Sequence, residues 1–182
     1  EVFNSLIDKM EKVLGDSWKA SSYEMLRKLS CDPDSKWTRY THRILREVDP
    51  NILVKFLLNA GYEGGFRGFK TSLEMSEKYD CNIPWIILMD PTTACNLHCT
   101  GCWAAEYGNK LNLTYEEMDK IVTEGKELGI HAYLFTGGEP LIRKDDIIRL
   151  CEKHKDVAFH AFTNGTLIDQ KFCDDLLRVG NF

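Results

Sequence analysis

Three cysteines carry the first chemistry in this sequence. The run Cys95-Asn-Leu-His-Cys99-Thr-Gly-Cys102 places three thiols within eight residues, close enough to converge on one metal centre. Structural zinc takes four ligands, and an ordinary four-iron cluster takes four cysteines. A site that stops at three leaves one metal position open, and an open position is where a second molecule can be bound and activated. His98 offers zinc a fourth ligand, so a zinc site is an alternative, although zinc ligands more usually come as two spaced pairs. Two further segments belong to the same chemistry if they share one place in the fold. Thr136-Gly137-Gly138-Glu139-Pro140 combines a glycine pair, which lets backbone approach a ligand closely, with a carboxylate. Thr163-Asn164-Gly165-Thr166 adds small polar groups. Taken alone, Gly-Gly-Glu-Pro reads as a turn.

The elements that must position these segments follow from periodicity. Trp85–Met89 is a continuous apolar run, expected to be a strand buried on both faces. The cysteine loop follows it directly. Thr114-x-x-Glu117 is a capping box, opening a helix with Met118, Ile121, Val122 and Leu128 and closed by Gly129. A second strand is expected from His131 to Thr136, then a helix with Ile147, Ile148 and Cys151. A third strand runs from Val157 to Phe162, and Asp169 caps a helix with Phe172, Leu176 and Leu177 that stops at Gly180. This βαβαβα order predicts an α/β fold with a parallel sheet. All three polar segments then fall at strand C-terminal ends, where such folds collect ligands.

Residues 1–84 read as helices, with the division from the α/β part at residue 84. Phe3, Leu6, Ile7, Met10, Val13 and Leu14 share a face before Gly15. A second helix starts near Ser22, with Leu26 and Leu29 inward. A third carries Trp37, Tyr40, Ile44 and Val48. Asp49-Pro50 begins a fourth, lined by Ile52, Leu53, Phe56, Leu57 and Ala60 and ending at Gly61. Tyr62 to Gly68 is expected to be a loop, and a short helix runs to Tyr79. His42 reads as surface or helix packing. The glycine-rich Gly64–Gly68 stretch has no strand before it and no phosphate-loop Lys-Ser/Thr, so it is not a phosphate cradle. This helical region is expected to bind a partner or to lie over the sheet as a lid.

Composition narrows the class. The 182 residues are 43% hydrophobic and 28% charged, values of an ordinary globular chain. A net charge of −5, all of it arising after residue 84, argues against a general nucleic-acid binder. The longest apolar runs are far short of the roughly 20 residues that cross a bilayer, and no secretion signal is visible, so a cytoplasmic location is expected. Seven cysteines without such a signal argue against a disulfide framework. Of the four outside the motif, Cys31 and Cys81 stand isolated, and Cys151 and Cys173 fit core packing.

The cysteine spacing, the Gly-Gly-Glu-Pro motif one strand later and the strand order together resemble the radical S-adenosylmethionine (SAM) superfamily. The resemblance covers about residues 85–182 and implies the first three βα units of that family's six-unit barrel. It implies a [4Fe-4S] cluster on Cys95, Cys99 and Cys102, with SAM chelating the fourth iron. It further implies SAM contacts from Gly137, Gly138, Glu139 and Pro140, with Thr163 and Asn164 toward the ribose or methionine part, and the Glu139 carboxylate facing the SAM ammonium. The implied activity is an oxidoreductase-type reductive cleavage of SAM to a 5′-deoxyadenosyl radical that abstracts hydrogen from a substrate. An electron donor such as flavodoxin or ferredoxin is the implied partner. The alternative from another class is a non-catalytic zinc or iron–sulfur binding protein that uses the same thiols.

One departure stands out. Many members carry an aromatic residue just before the last cysteine, where this chain has Gly101. Trp103 either takes over adenine packing or lies in the core, and Glu106 and Tyr107 follow in the loop. The chain begins without Met and stops just after Gly180, which reads as a piece of a longer protein. Three of six strands being absent, the piece is expected not to cleave SAM usefully by itself. Its open strand edge, at the third strand or at the start of a fourth at Phe182, is expected to drive self-association.

Overall fold

A computed structural model describes residues 2–14, 19–104, 108 and 110–182. Gly15, Glu106 and Tyr107, and the side chains of Phe3, Leu6, Val13, Leu14, Leu29 and Cys31, lie outside the described residues. By its packing the chain divides into two compact units, Glu1–Val48 and Asp49–Phe182. The helical stretch expected to run to residue 84 is thus shared between them.

The first unit holds helices α1 (Val2–Leu14), α2 (Ala20–Cys31) and α3 (Lys36–Glu47). Ile7 on α1 and Tyr23 on α2 are buried, and Arg27 reaches across to Asp8 and Glu11. Helix α3 buries none of its residues, so the Trp37/Tyr40/Ile44 face forms no core.

In the second unit, the expected strands form over shorter spans: β1 (Ile87–Met89), β2 (Ala132–Phe135) and β3 (Ala158–Ala161). They pair parallel in the order β1-β2-β3, with Met89 opposite Phe135 and Phe135 opposite Ala161. The crossovers carry α6 (Tyr115–Glu127), α7 (Lys144–Lys153, entered through a 3-10 turn Pro140–Arg143) and α8 (Gln170–Val179). α6 opens on the capping box at Thr114 and Glu117, α8 on the Asp169 cap, and α8 closes at Gly180 in the left-handed region.

Alternation along the strands decides which face is core. Tyr133, Phe135 and Phe159 pack under the helices against Met118, Val122, Ile147, Leu150 and Phe172. Leu88, Leu134 and His160 form a row across the opposite face. Leu88 is 57% exposed and Trp85 78%. The expectation that Trp85–Met89 is buried on both faces is therefore wrong. Only one face of β1 is covered by crossover helices, and Trp85 precedes the strand.

The stretch Tyr62–Gly68 is also not a loop. Helix α4 (Pro50–Phe56) passes without a break through a π-helical segment, Leu57–Gly68, into α5 (Phe69–Tyr79). Its glycines serve packing: a Cβ on Gly68 would sit 2.2 Å from the Gly129 carbonyl oxygen. Only two bare backbones can cross this closely. This helix docks at the strand N-terminal ends. Asn59 Nδ2 donates to Lys155 O (2.8 Å) and Val157 O (2.9 Å), while Asn51 and Lys55 donate to the carbonyls of Leu177 and Val179. Residues 50–79 thus close the end of the sheet opposite the cysteine loop and are not a lid on its mouth. Phe56 sets its ring edge-on to His160, with centroids 6.2 Å apart. At the outer edge of β3, Phe159 N–H donates to Asn181 O at 2.9 Å.

Candidate active site

All three motif segments leave the C-terminal ends of adjacent strands, and hydrogen bonds bind them into one mouth. Past β2, Thr136 N–H donates to Met89 O (3.0 Å), Gly138 N–H to Thr92 O (3.0 Å) and Glu139 N–H to Ala94 O (2.8 Å). The Gly-Gly-Glu-Pro segment therefore rides along the chain leading into Cys95. Glycine is required there. A Cβ on Gly138 would lie 2.1 Å from Ala94 O, and Gly137 has φ +102° with Thr92 O 2.6 Å from its Cβ position.

The neck of the cysteine loop is closed by an antiparallel bridge between Thr92 and Asn112, with Thr93 N–H donating to Leu111 O and Leu113 N–H to Pro91 O. Arg143 fastens both sides of this neck, donating to Leu113 O (2.6 Å) and Pro91 O (3.3 Å) while pairing with Asp146 (2.7 Å). Within the loop, Gly101 has φ +75° and the Cys102 N–H donates to Cys99 O. Position 101 of that turn is left-handed, a conformation glycine adopts without strain.

Cys95 is half-buried, and Cys99 and Cys102 are exposed. The three line one depression with Thr93, Leu97, His98, Ala104, Gly108 and Gly138. Among the described residues, no three His, Cys, Asp or Glu side chains stand close enough to share one metal ion. Trp103 is 62% exposed, so its reading as core is wrong.

The third segment is tied in by Glu139. This carboxylate is 1% exposed. Oε1 accepts from Leu141 N–H (2.9 Å) and Thr163 Oγ1–H (2.7 Å), and Oε2 from Asn164 N–H (2.8 Å). Asn164 Nδ2 donates to Asn96 Oδ1 (2.9 Å), and Asn96 Nδ2 to Thr166 Oγ1 (2.7 Å). The Glu139, Thr163 and Asn164 groups expected to contact SAM are thus engaged with one another, and Thr166 of the third segment and Asn96 of the cysteine loop join the network. Pro140 is buried and starts the 3-10 turn. His42 lies on α3, in the other unit.

A second group passed over is Asp90, the residue after β1. Its Cβ and Cγ lie 3.1 and 3.2 Å from the Cβ position of Gly137, and its buried Oδ1 has no hydrogen-bond partner. Burial raises its pKa above the ordinary carboxylate range. The signal in the sequence was a charge ending an apolar run one residue before Pro91.

The profile of the radical SAM superfamily matches residues 89–182, more than half of the chain, and the chain belongs to that superfamily. It is 33% identical over 100 residues to the Fe-coproporphyrin III synthase of Methanosarcina barkeri, covering 52% of this chain and 25% of that one. It is 36% identical over 118 residues to the GTP 3′,8-cyclase of Thermodesulfovibrio yellowstonii, covering 58% and 35%. Streptococcus suis SuiB, solved bound to precursor peptide SuiA, aligns with a TM-score of 0.49 at 21% identity over 60% of this chain and 26% of that one. The chain spans between 23% and 35% of the length of the curated relatives it matches. Membership implies an iron–sulfur cluster and SAM. Among the described residues, no helix is long and apolar enough to cross a membrane.

Proposed function

We propose that residues 85–182 carry the cluster- and SAM-binding part of a radical SAM enzyme. Cys95, Cys99 and Cys102 would hold a [4Fe-4S] cluster. The backbone of Gly137 and Gly138 and the loops headed by Glu139–Pro140 and Thr163–Asn164 would form the SAM cradle. The observation that supports this reading is the shared depression, in which three thiols and Gly138 face one space at the C-terminal end of a parallel sheet. Held by Cys95, Cys99 and Cys102 and reduced by a donor such as flavodoxin or ferredoxin, the cluster would supply one electron for reductive cleavage of SAM to methionine and a 5′-deoxyadenosyl radical able to take a hydrogen atom from the substrate. The chain's own part is placement. The Thr92–Asn112 neck and Arg143 hold the thiols at the mouth, and Glu139 fixes the second loop to the third. The half-covered row Leu88, Leu134 and His160 faces the side on which a barrel encloses its substrate.

Anaerobic reconstitution tests this. About four iron and four sulfide per chain are expected, lost in Cys95→Ala, Cys99→Ala or Cys102→Ala and kept in Cys151→Ala and Cys173→Ala. Full iron–sulfur absorbance in Cys99→Ala, or one zinc per chain indifferent to the glycine pair, would overturn the assignment.

A further inference from the structure

Two described carboxylates flank the glycine pair, and the structure gives them opposite circumstances. Glu139 is buried and accepts three hydrogen bonds from its own chain, two of them from the β3 loop. Its charge is already spent on Thr163, Asn164 and Leu141. Asp90 leaves the end of β1 and lies against the bare Cα of Gly137 on the way to the cysteine loop, and no hydrogen bond reaches its buried Oδ1. A buried carboxylate oxygen without a donor costs free energy in the unliganded protein. Such a cost persists where a ligand supplies the missing donor.

Resting on the SAM reading above, we propose that Asp90 is the anionic contact for the ammonium of the SAM methionyl group, and that Glu139 is a positioning residue that locks the second loop to the third. The chemistry matches in sign and in kind: an ammonium brings three N–H donors and a positive charge, and charge-assisted bonds of this type are about twice as strong as neutral ones. Gly137 has a second role in this arrangement. With no Cβ it leaves the Asp90 side chain in place, whereas an alanine there would meet Asp90 Cβ at 3.1 Å.

The two roles separate experimentally. SAM binding is measured by calorimetry on the anaerobically reconstituted protein, and thermal melting on the same protein without cluster or SAM. Asp90→Asn should weaken SAM binding about ten- to a hundredfold and leave the melting temperature equal or higher. Glu139→Gln should lower the melting temperature and weaken SAM binding less than Asp90→Asn does. A SAM analogue lacking the amino group should bind the wild type and Asp90→Asn equally, because its contact with Asp90 is gone in both. Equal SAM affinity of Asp90→Asn and a wild type that binds SAM would overturn this inference alone. A wild type that assembles its cluster and binds no SAM would overturn the underlying reading together with it.

Discussion

Replacing Gly138 by alanine tests how the second loop is seated on the cysteine loop. The new Cβ would stand 2.1 Å from Ala94 O, 2.5 Å from Ala94 C and 2.6 Å from Thr93 O. All three are backbone atoms, so no side chain can swing aside. Reaching ordinary contact distance needs a shift of at least about 1 Å. That shift acts on the two bonds that seat the loop, Gly138 N–H to Thr92 O and Glu139 N–H to Ala94 O. Overpacking costs about 1–3 kcal/mol, and the two weakened bonds add about 1 kcal/mol each. The sum is roughly 3–5 kcal/mol, or a fall in melting temperature on the order of 10 °C at this chain length. Two glycines serve as controls. Gly101 has φ +75° and nothing within 4 Å of its Cβ position, so Gly101→Ala should cost only about 1–2 kcal/mol of left-handed strain. Gly61 is helical with open space around it, so Gly61→Ala should be neutral or stabilising by up to about 1 kcal/mol. Circular-dichroism melts of the three variants give the ranking. A Gly138→Ala protein that melts within a degree of wild type, or above Gly101→Ala, would refute the close-approach argument.

Other outcomes follow from the core and its titrating groups. The Tyr133 hydroxyl donates to Val122 O at 3.2 Å and would lie 2.0 Å from a Cβ on Gly125; Gly125→Ala should destabilise by more than about 2 kcal/mol, and adding Tyr133→Phe should recover part of the loss in denaturant titrations. Asn59→Leu strips the Lys155 and Val157 carbonyls of their buried donor and should cost about 2–3 kcal/mol, read from the same titrations. Burial lowers the pKa of both His154 and His160, and for His154 it outweighs the Asp119 contact. The unfolded chain therefore takes up protons first, so stability should hold above about pH 6.5 and fall as pH drops below it; His160→Gln should flatten that decline, and an unchanged slope would count against it.

The α/β half was legible because its signals are local. The Thr114–Glu117 capping box, the Asp169 cap and the Gly180 stop each act within one turn of chain and form as expected. The helical half was less so. Gly64, Gly65 and Gly68 read as a loop because glycine weakens helices on propensity alone. At Gly68, what overrides propensity is a tertiary contact with Gly129, 61 residues further on. Trp85 misled for a related reason. An apolar run shows hydrophobicity without showing whether both faces find partners, and the far face of this sheet has few.

The site was legible in its residue types and less so in their division of labour. Spacing identifies which side chains stand at the mouth, but it cannot distinguish a carboxylate that meets a ligand from one that holds loops together. Glu139 sits in the motif and is saturated by its own chain; Asp90 sits outside the motif with a bare oxygen. The difference arises from the register of the sheet. Parallel pairing sets Met89 opposite Phe135 and brings the residues after each into line, so Asp90 falls beside the glycine pair although 47 residues separate it from Gly137. The same register brings Ala161 level with Phe135 and delivers Thr163 and Asn164 to Glu139. Three short strands thus decide which acid is consumed by the scaffold and which remains available to a cation. A substitution that slips β1 by one residue would exchange its two faces, carrying Asp90 away from Gly137 while leaving the order of the three cysteines unchanged.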